Sequence, residues 1–226
     1  DDRLSRGLGD VYKRQGLESR PTLDIIFTAE DEVLNGFAVP ANYTIIWVDQ
    51  NDAALWTGDE KWLRTVLAHE LQHLVYFNTV KGPWWLPEPM NSLVHGTPAW
   101  IVEGIAEYFT EEWRPFRYEL SHRYHVLRNT VHKIQDPHND GYSKSLYFAD
   151  RFGDSTISKI LNHRNKLKFL DFKESFKKHT GITLKQFNED WRCQMNTFYF
   201  SQRSQKERLE DAGVIRKLPI KRVLSL

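Results

Sequence analysis

A change in hydrophobic pattern near residue 57 constrains the fold of this 226-residue chain most strongly. Before that point, residues 22–28 and 43–48 are short runs rich in β-branched and aromatic side chains, which favour strands. Turn residues on either side of 36–39 leave room for a third strand at a sheet edge. After residue 57, apolar residues recur at helical spacing. The pattern predicts an α+β fold, with a small N-terminal β-sheet followed by a mainly helical part.

The first helix is predicted over residues 58–78, where Thr57 and Glu60 form a capping-box pattern. A loop rich in Pro and Trp follows at 83–97, and we expect its Trp84-Trp85 pair to pack in the core or between helices rather than to form a carbohydrate platform. The next helix is predicted to begin with Thr97 as N-cap and Pro98 in its first turn, and to end before residue 115. Further helices are predicted over residues 117–135, 142–152, 155–163, 169–179 and 183–205.

Charge and composition exclude several classes of protein. The 31 basic and 30 acidic residues leave a formal net charge of +1, so no charge excess points to a nucleic-acid partner. No apolar stretch is long enough for a transmembrane helix. Cys193 is the single cysteine, so an intrachain disulfide is excluded.

The ends of the chain differ in character from its middle. Residues 1–15 resemble the translated read-through of a sequencing adapter, and we interpret them as an assembly artefact or as disordered. Residues 16–205 are predicted to form one domain, and residues 206–226 a tail or the start of a truncated further domain. We expect the true N-terminus, with any export signal on it, to be missing.

The motif with the clearest chemistry is His69-Glu70-Leu71-Gln72-His73, an HExxH pattern on the first predicted helix. Side chains at i and i+4 project from one helix face, so the two imidazoles can reach a single Zn²⁺. Glu70 follows the first histidine at the edge of that face. It is there predicted to act as the general base toward a water at the metal.

A catalytic zinc of this type needs a third protein ligand. A histidine six residues beyond His73 would complete one known pattern, but Thr79 occupies that position. Glu103 and Glu107, one turn apart on the second helix, are the better candidates. We predict Glu103 as the ligand and Glu107 as the acceptor that orients a ligating histidine. Small Gly104 and Ala106 would let this helix approach the HExxH helix.

Two alternatives stay open at this point. Glu88 and His95, in the loop rich in Pro, are rival third ligands. Glu103 and Glu107 could also be an ordinary pair of solvated carboxylates on a helix surface. The remaining histidines, His138 among them, are scattered. His122 and His125, at i and i+3 on a predicted helix, could bind a metal, but without a nearby third ligand we interpret them as surface residues or as histidines with satisfied hydrogen bonds.

The HELQH motif together with Trp100–Tyr108 (WIVEGIAEY) resembles the gluzincins of the peptidase MA-like group, relatives of thermolysin and aminopeptidase N. The resemblance implies a thermolysin-like domain, with Glu103 as zinc ligand and a peptide or protein as substrate. Residues 141–147 (GYSKSLY) are similar to the segment whose tyrosine stabilises the oxyanion in aminopeptidase-like relatives. That role would fall on Tyr142.

The same resemblance bears on location and architecture. Some relatives continue into a C-terminal β-propeller, and we expect an extracytoplasmic protein, secreted or periplasmic. The sequence lacks the G-x-M-E-N motif with which the exopeptidase relatives hold the amino terminus of the substrate, which argues against an exopeptidase but does not fix the mode of cleavage. The alternative function is a catalytically inactive peptidase-like domain for binding or assembly. A deformylase-like hydrolase would need a cysteine before HExxH, but Cys193 follows it.

Overall fold

The computed structural model describes residues 22–29, 36–48, 59–110, 116–133 and 136–206. Three strands come first: β1 (Asp24–Thr28), β2 (Gly36–Val39) and β3 (Tyr43–Trp47). The α-helices that follow are α1 (Asp59–Val80), α2 (Glu88–His95), α3 (Ala99–Phe109), α4 (Phe116–Leu127), α5 (Pro137–Phe152), α6 (Asp154–Asn162), α7 (Phe172–Thr180) and α8 (Leu184–Ser204), with a 3₁₀ turn at Val131–Lys133. The α+β class with a small sheet and mainly helical remainder is confirmed.

The sheet has the order β1-β3-β2, with β1 parallel and β2 antiparallel to β3. Strand β2 therefore lies at an edge of the described sheet, as predicted for residues 36–39. The turn before β3 contains Asn42 in the left-handed region, with φ of 64°. The Asn78 amide donates a 2.7 Å hydrogen bond to the Asn42 side chain, which fixes this end of the sheet to α1.

Strand β2 packs on the helix that carries HExxH. Ala38 forms a buried cluster with Leu71 and Leu74, whose side chains are 3% and 0% exposed. These leucines belong to the apolar stripe of α1, and covering them is the main reason the sheet sits there. The same contact brings β2 alongside Glu70.

Helices α3 and α5 cross with their backbones in direct contact. A Cβ atom on Gly104 would lie 2.3 Å from the Gly141 carbonyl oxygen, and one on Gly141 would lie 2.4 Å from the Trp100 oxygen. The expectation that Gly104 brings its helix close to α1 is wrong, because the close partner is α5. This crossing places the start of α5 beside Glu103 and Glu107.

The main core lies between the later helices. It is a cluster of stacked and edge-on aromatic rings contributed by α3, α5, α7 and α8, namely Trp100, Phe148, Phe172, Phe176 and Phe187. No described helix combines the length and apolar character needed to cross a membrane.

Several predicted boundaries differ from the structure, and proline explains most of them. Residues 88–95, predicted as loop, form α2 after Pro87. Helix α5 begins at Pro137 rather than at residue 142, since Asp136 caps it and proline suits a first turn. Pro98, rather than Thr97, is the N-cap of α3. The proposed cap at Thr57 lies outside the described residues.

Candidate metal centre

The two HExxH histidines face each other on α1. The Nε2 atoms of His69 and His73 lie 3.1 Å apart, and the two rings meet edge-on. Both side chains are largely buried, with 14% and 10% of their surface exposed. The i, i+4 spacing therefore aims both nitrogens at one point, as predicted.

Glu103 reaches the same point from α3. Its Oε2 atom lies 3.4 Å from His69 Nε2 and 3.2 Å from His73 Nε2. Ligands about 2.0–2.1 Å from a tetrahedral zinc stand about 3.3–3.4 Å from one another. The three atoms thus form a triangle of the size that one face of a zinc tetrahedron requires.

Hydrogen bonds among the three buried atoms of this triangle would leave some of them unsatisfied, whereas a metal ion could bind all three. Glu103 Oε2 is buried and makes no hydrogen bond of ordinary geometry. Two neutral imidazoles whose Nε2 atoms face each other can share only one proton between them. A single cation would satisfy both nitrogens and the oxygen at once, and two histidines with a glutamate are a known catalytic zinc donor set.

The charge state of Glu103 suits this role. Burial would raise the pKa of its carboxyl group, but the close imidazoles of His69 and His73 outweigh burial and hold the pKa well below its usual range. Glu103 therefore remains an anion at neutral pH, as a zinc ligand must.

Glu107 lies behind His69, one turn further along α3. Its Oε1 atom is 3.9 Å from His69 Nδ1 and 3.3 Å from His138 Nδ1. The structure thus brings Glu107 near the free ring nitrogen of the ligand His69, as predicted, although the distance is longer than a hydrogen bond. Its nearer partner is His138, which the sequence analysis had set aside.

His138 belongs to the centre although the motifs did not predict it. Its Nδ1 atom lies 3.4 Å from Glu103 Oε2, and its ring stacks on His69 with centroids 5.6 Å apart. The hydrogen bond that the His138 imidazole donates to the Glu107 carboxylate raises the pKa of His138 against the opposing effect of burial. The signal that could have found it is Asp136-Pro137, which begins α5 and turns residue 138 toward α3.

Two groups of three residues could hold a metal ion within the described residues. One is His69, His73 and Glu103, and the other is His69, Glu107 and His138. The first is the better site, because its three contacts are all 3.4 Å or shorter. Neither contains Glu88 or His95, the rival ligands considered from the sequence. His95 instead accepts a hydrogen bond from the Thr97 N–H through Nδ1.

Glu70 lies beside the triangle, against strand β2. Glu70 is only 5% exposed, and the backbone of Ala38 hydrogen-bonds to its carboxylate. Burial raises the pKa of Glu70, while the nearby His73 and His69 imidazoles partly oppose the increase. A raised pKa favours proton uptake near neutral pH, which a general base requires.

The centre opens into a cleft of about 560 Å³. It is lined by β2, by one face of α1 and by α3, together with Asp136 and His138 at the start of α5. Apolar side chains line it around the polar centre: Phe37, Val66, Phe77 and Val102. Such a cleft is large enough for several residues of an extended peptide.

Tyr142 is the predicted site residue that the structure does not bring to the cleft. It is buried, at 6% exposed, with its ring 6.3 Å from that of Tyr108, and it does not line the cleft. The geometry therefore gives no support to its prediction as oxyanion donor. His122, interpreted from the sequence as a surface residue or a histidine with satisfied hydrogen bonds, is fully buried and lies edge-on to Trp191.

Comparison of the chain with models of known protein families, with curated proteins and with solved structures finds no match. The resemblance to gluzincins consequently depends on the motifs and on the geometry of the centre alone.

Proposed function

We propose that this chain is a zinc-dependent metallopeptidase in which His69, His73 and Glu103 hold the metal. The observation that carries the proposal is the triangle formed by the two Nε2 atoms and Glu103 Oε2, with sides of 3.1, 3.2 and 3.4 Å. Its donor types and dimensions match a catalytic zinc site.

Glu70 is the general base of the proposed reaction. When bound, zinc supplies a Lewis acid that polarises the peptide carbonyl and lowers the pKa of water. Glu70 then removes a proton from the attacking water and delivers it to the leaving amine. Its burial and its contact with Ala38 hold the carboxylate in one position for both transfers.

The peptide substrate is proposed to bind along the cleft beside β2. An edge strand can pair with an extended backbone, and the apolar walls can accept its side chains. His138 is a half-exposed group that also lines the cleft, with 42% of its side chain accessible. We propose that its imidazole donates a hydrogen bond to a carbonyl oxygen held near the centre, the role that the resemblance had implied for Tyr142.

Hydrolysis of casein or a peptide library, measured with and without a chelator, tests the proposal. Activity should disappear with the chelator, return with Zn²⁺, and fall by about 10³-fold or more in Glu70→Gln with zinc content unchanged. Glu174→Gln, an exposed carboxylate on α7, is the control and should behave as wild type.

The same assay distinguishes the proposed peptidase from the alternative, a catalytically inactive binding or assembly domain. That domain would bind zinc at the same residues and cleave none of the peptides. Full activity of Glu70→Gln, or activity that resists the chelator, would rule out the proposed mechanism.

A further inference from the structure

Helix α2 presents its apolar residues to solvent and its polar residues to the interior. Met90, Leu93 and Val94, at i, i+3 and i+4, are 54%, 81% and 43% exposed. Asn91 and His95, on the opposite face, are 0% and 9% exposed. A surface helix normally has the reverse arrangement. The outer face of α2 therefore needs an apolar partner that the described part of the chain does not supply.

Polar contacts hold α2 in this inverted orientation. The Asn91 side chain donates a 3.1 Å hydrogen bond to the Val80 carbonyl, one of the free carbonyls at the end of α1. His95 packs edge-on against Tyr76, with ring centroids 6.4 Å apart. Rotating α2 to bury its apolar face would break both contacts, so the exposure follows from how the helix is held.

Two exposed tryptophans lie in the turn just before α2. The Leu86 N–H bonds to the Pro83 carbonyl at 2.9 Å, which closes a turn with Trp84 and Trp85 at its centre. Trp84 is 97% exposed and Trp85 is 49% exposed, so the expected core packing of this pair is wrong. We call Trp84, Trp85, Met90, Leu93 and Val94 the outer apolar surface.

Basic residues lie near the C-terminal end of α1, where Asn91 also holds α2. Lys81 follows α1 directly and is exposed. Arg164 donates a 2.5 Å hydrogen bond to the Thr79 carbonyl, which holds the 163–169 loop at the same helix end. The tip of that loop exposes Lys166 and Lys168, and residues 163–170 contain no acidic residue.

We propose that the outer apolar surface docks on an anionic lipid bilayer. Tryptophan favours the headgroup region, where its ring is buried and its N–H remains solvated. Short helices with exposed apolar faces lie in that interface without spanning it. Lysines beside the surface would add attraction to acidic headgroups. The exposed lysines near the end of α1 favour an anionic bilayer over an uncharged apolar partner.

Sedimentation with vesicles tests the docking without reference to the metal centre. Wild-type protein should bind vesicles of phosphatidylcholine mixed with phosphatidylserine, and bind those of phosphatidylcholine alone more weakly. Trp84→Ser, at a fully exposed position, should lower binding to the mixed vesicles by about tenfold.

The double variant Lys166→Ser/Lys168→Ser should reduce the preference for the anionic vesicles, and added salt should do the same. Leu120→Ser, which removes an exposed apolar residue of α4, is the control and should bind as wild type.

Three results would overturn the proposal. One is failure of the wild type to bind the mixed vesicles. The second is equal binding to both kinds of vesicle, which would show that charge has no part in it. The third is a dimer in solution that Trp84→Ser dissociates, which would make this surface a contact between two copies of the chain.

Discussion

The side chain of Glu70 lies so close to Gly36 that a Cβ atom on residue 36 would stand 2.5 Å from its Cγ and 2.8 Å from its Oε1. Non-bonded carbon atoms do not approach to this distance, so the first residue of β2 has to be glycine for Glu70 to remain where it is. The edge strand thus positions the proposed base directly, while the metal ligands come from α1 and α3.

Gly36→Ala should displace Glu70 without touching the metal ligands. A displacement of about 1 Å can lower turnover by about 10²-fold, because proton transfer needs close alignment. We expect peptidase activity to fall by that order while the zinc content, measured by elemental analysis, remains that of wild type. Unchanged activity in a folded Gly36→Ala protein would show that the contact with β2 does not position the base.

Glu107→Gln should weaken zinc binding. Removing the carboxylate behind a ligating histidine loosens its ring orientation, which lowers metal affinity by about 10–100-fold in comparable sites. Competition with a chromogenic chelator measures the change. Glu88→Gln is the matched control, since Glu88 was a rival ligand and the structure leaves it outside the centre. Equal affinities in the two variants would remove Glu107 from the site.

His122 should make the fold sensitive to mild acid. Burial, reinforced by the nearby His125 and Lys144, lowers the pKa of His122 from 6.5 to about 4. The unfolded chain therefore takes up this proton first, so stability is complete above about pH 6.5 and is lost as the pH falls toward 4. The difference amounts to about 3 kcal/mol in the free energy of unfolding.

Urea unfolding of wild type and His122→Phe at several pH values measures this contribution. The free energy of unfolding of the wild type should fall by about 3 kcal/mol relative to that of His122→Phe as the pH falls from 6.5 to 4, because the variant has no proton to bind there. Curves that remain parallel across this range would contradict the assignment to His122.

The sequence predicted the residues that regular geometry brings together. The pairing of the HExxH histidines follows from the helical period alone, while Glu103 could be named because WIVEGIAEY resembles the gluzincin motif. The edge position of strand β2 could also be predicted from the sequence, because its flanking turns are local signals. The contact of Gly36 with Glu70 could not be predicted, since it depends on how the sheet lies on α1.

The sequence analysis failed where proline was interpreted as ending regular structure rather than beginning it. Pro137 begins α5 after the Asp136 cap. Because the sequence analysis began this helix at residue 142, it did not place His138 on a helix beside the centre. Tyr142, one turn further along, belongs to the buried side where α5 crosses α3. Trp84 was expected inside because tryptophan is large and apolar, but the turn at Pro83 carries it outward.

The most direct test of the metal centre is zinc titration of the purified chain and of Glu103→Ala, with X-ray absorption of the zinc-loaded wild type. We predict one zinc per chain, held by two imidazole nitrogens and a carboxylate oxygen at about 2.0–2.1 Å, and a large loss of affinity in Glu103→Ala. A chain that binds no zinc, or binds it equally well without the Glu103 carboxylate, would contradict the account.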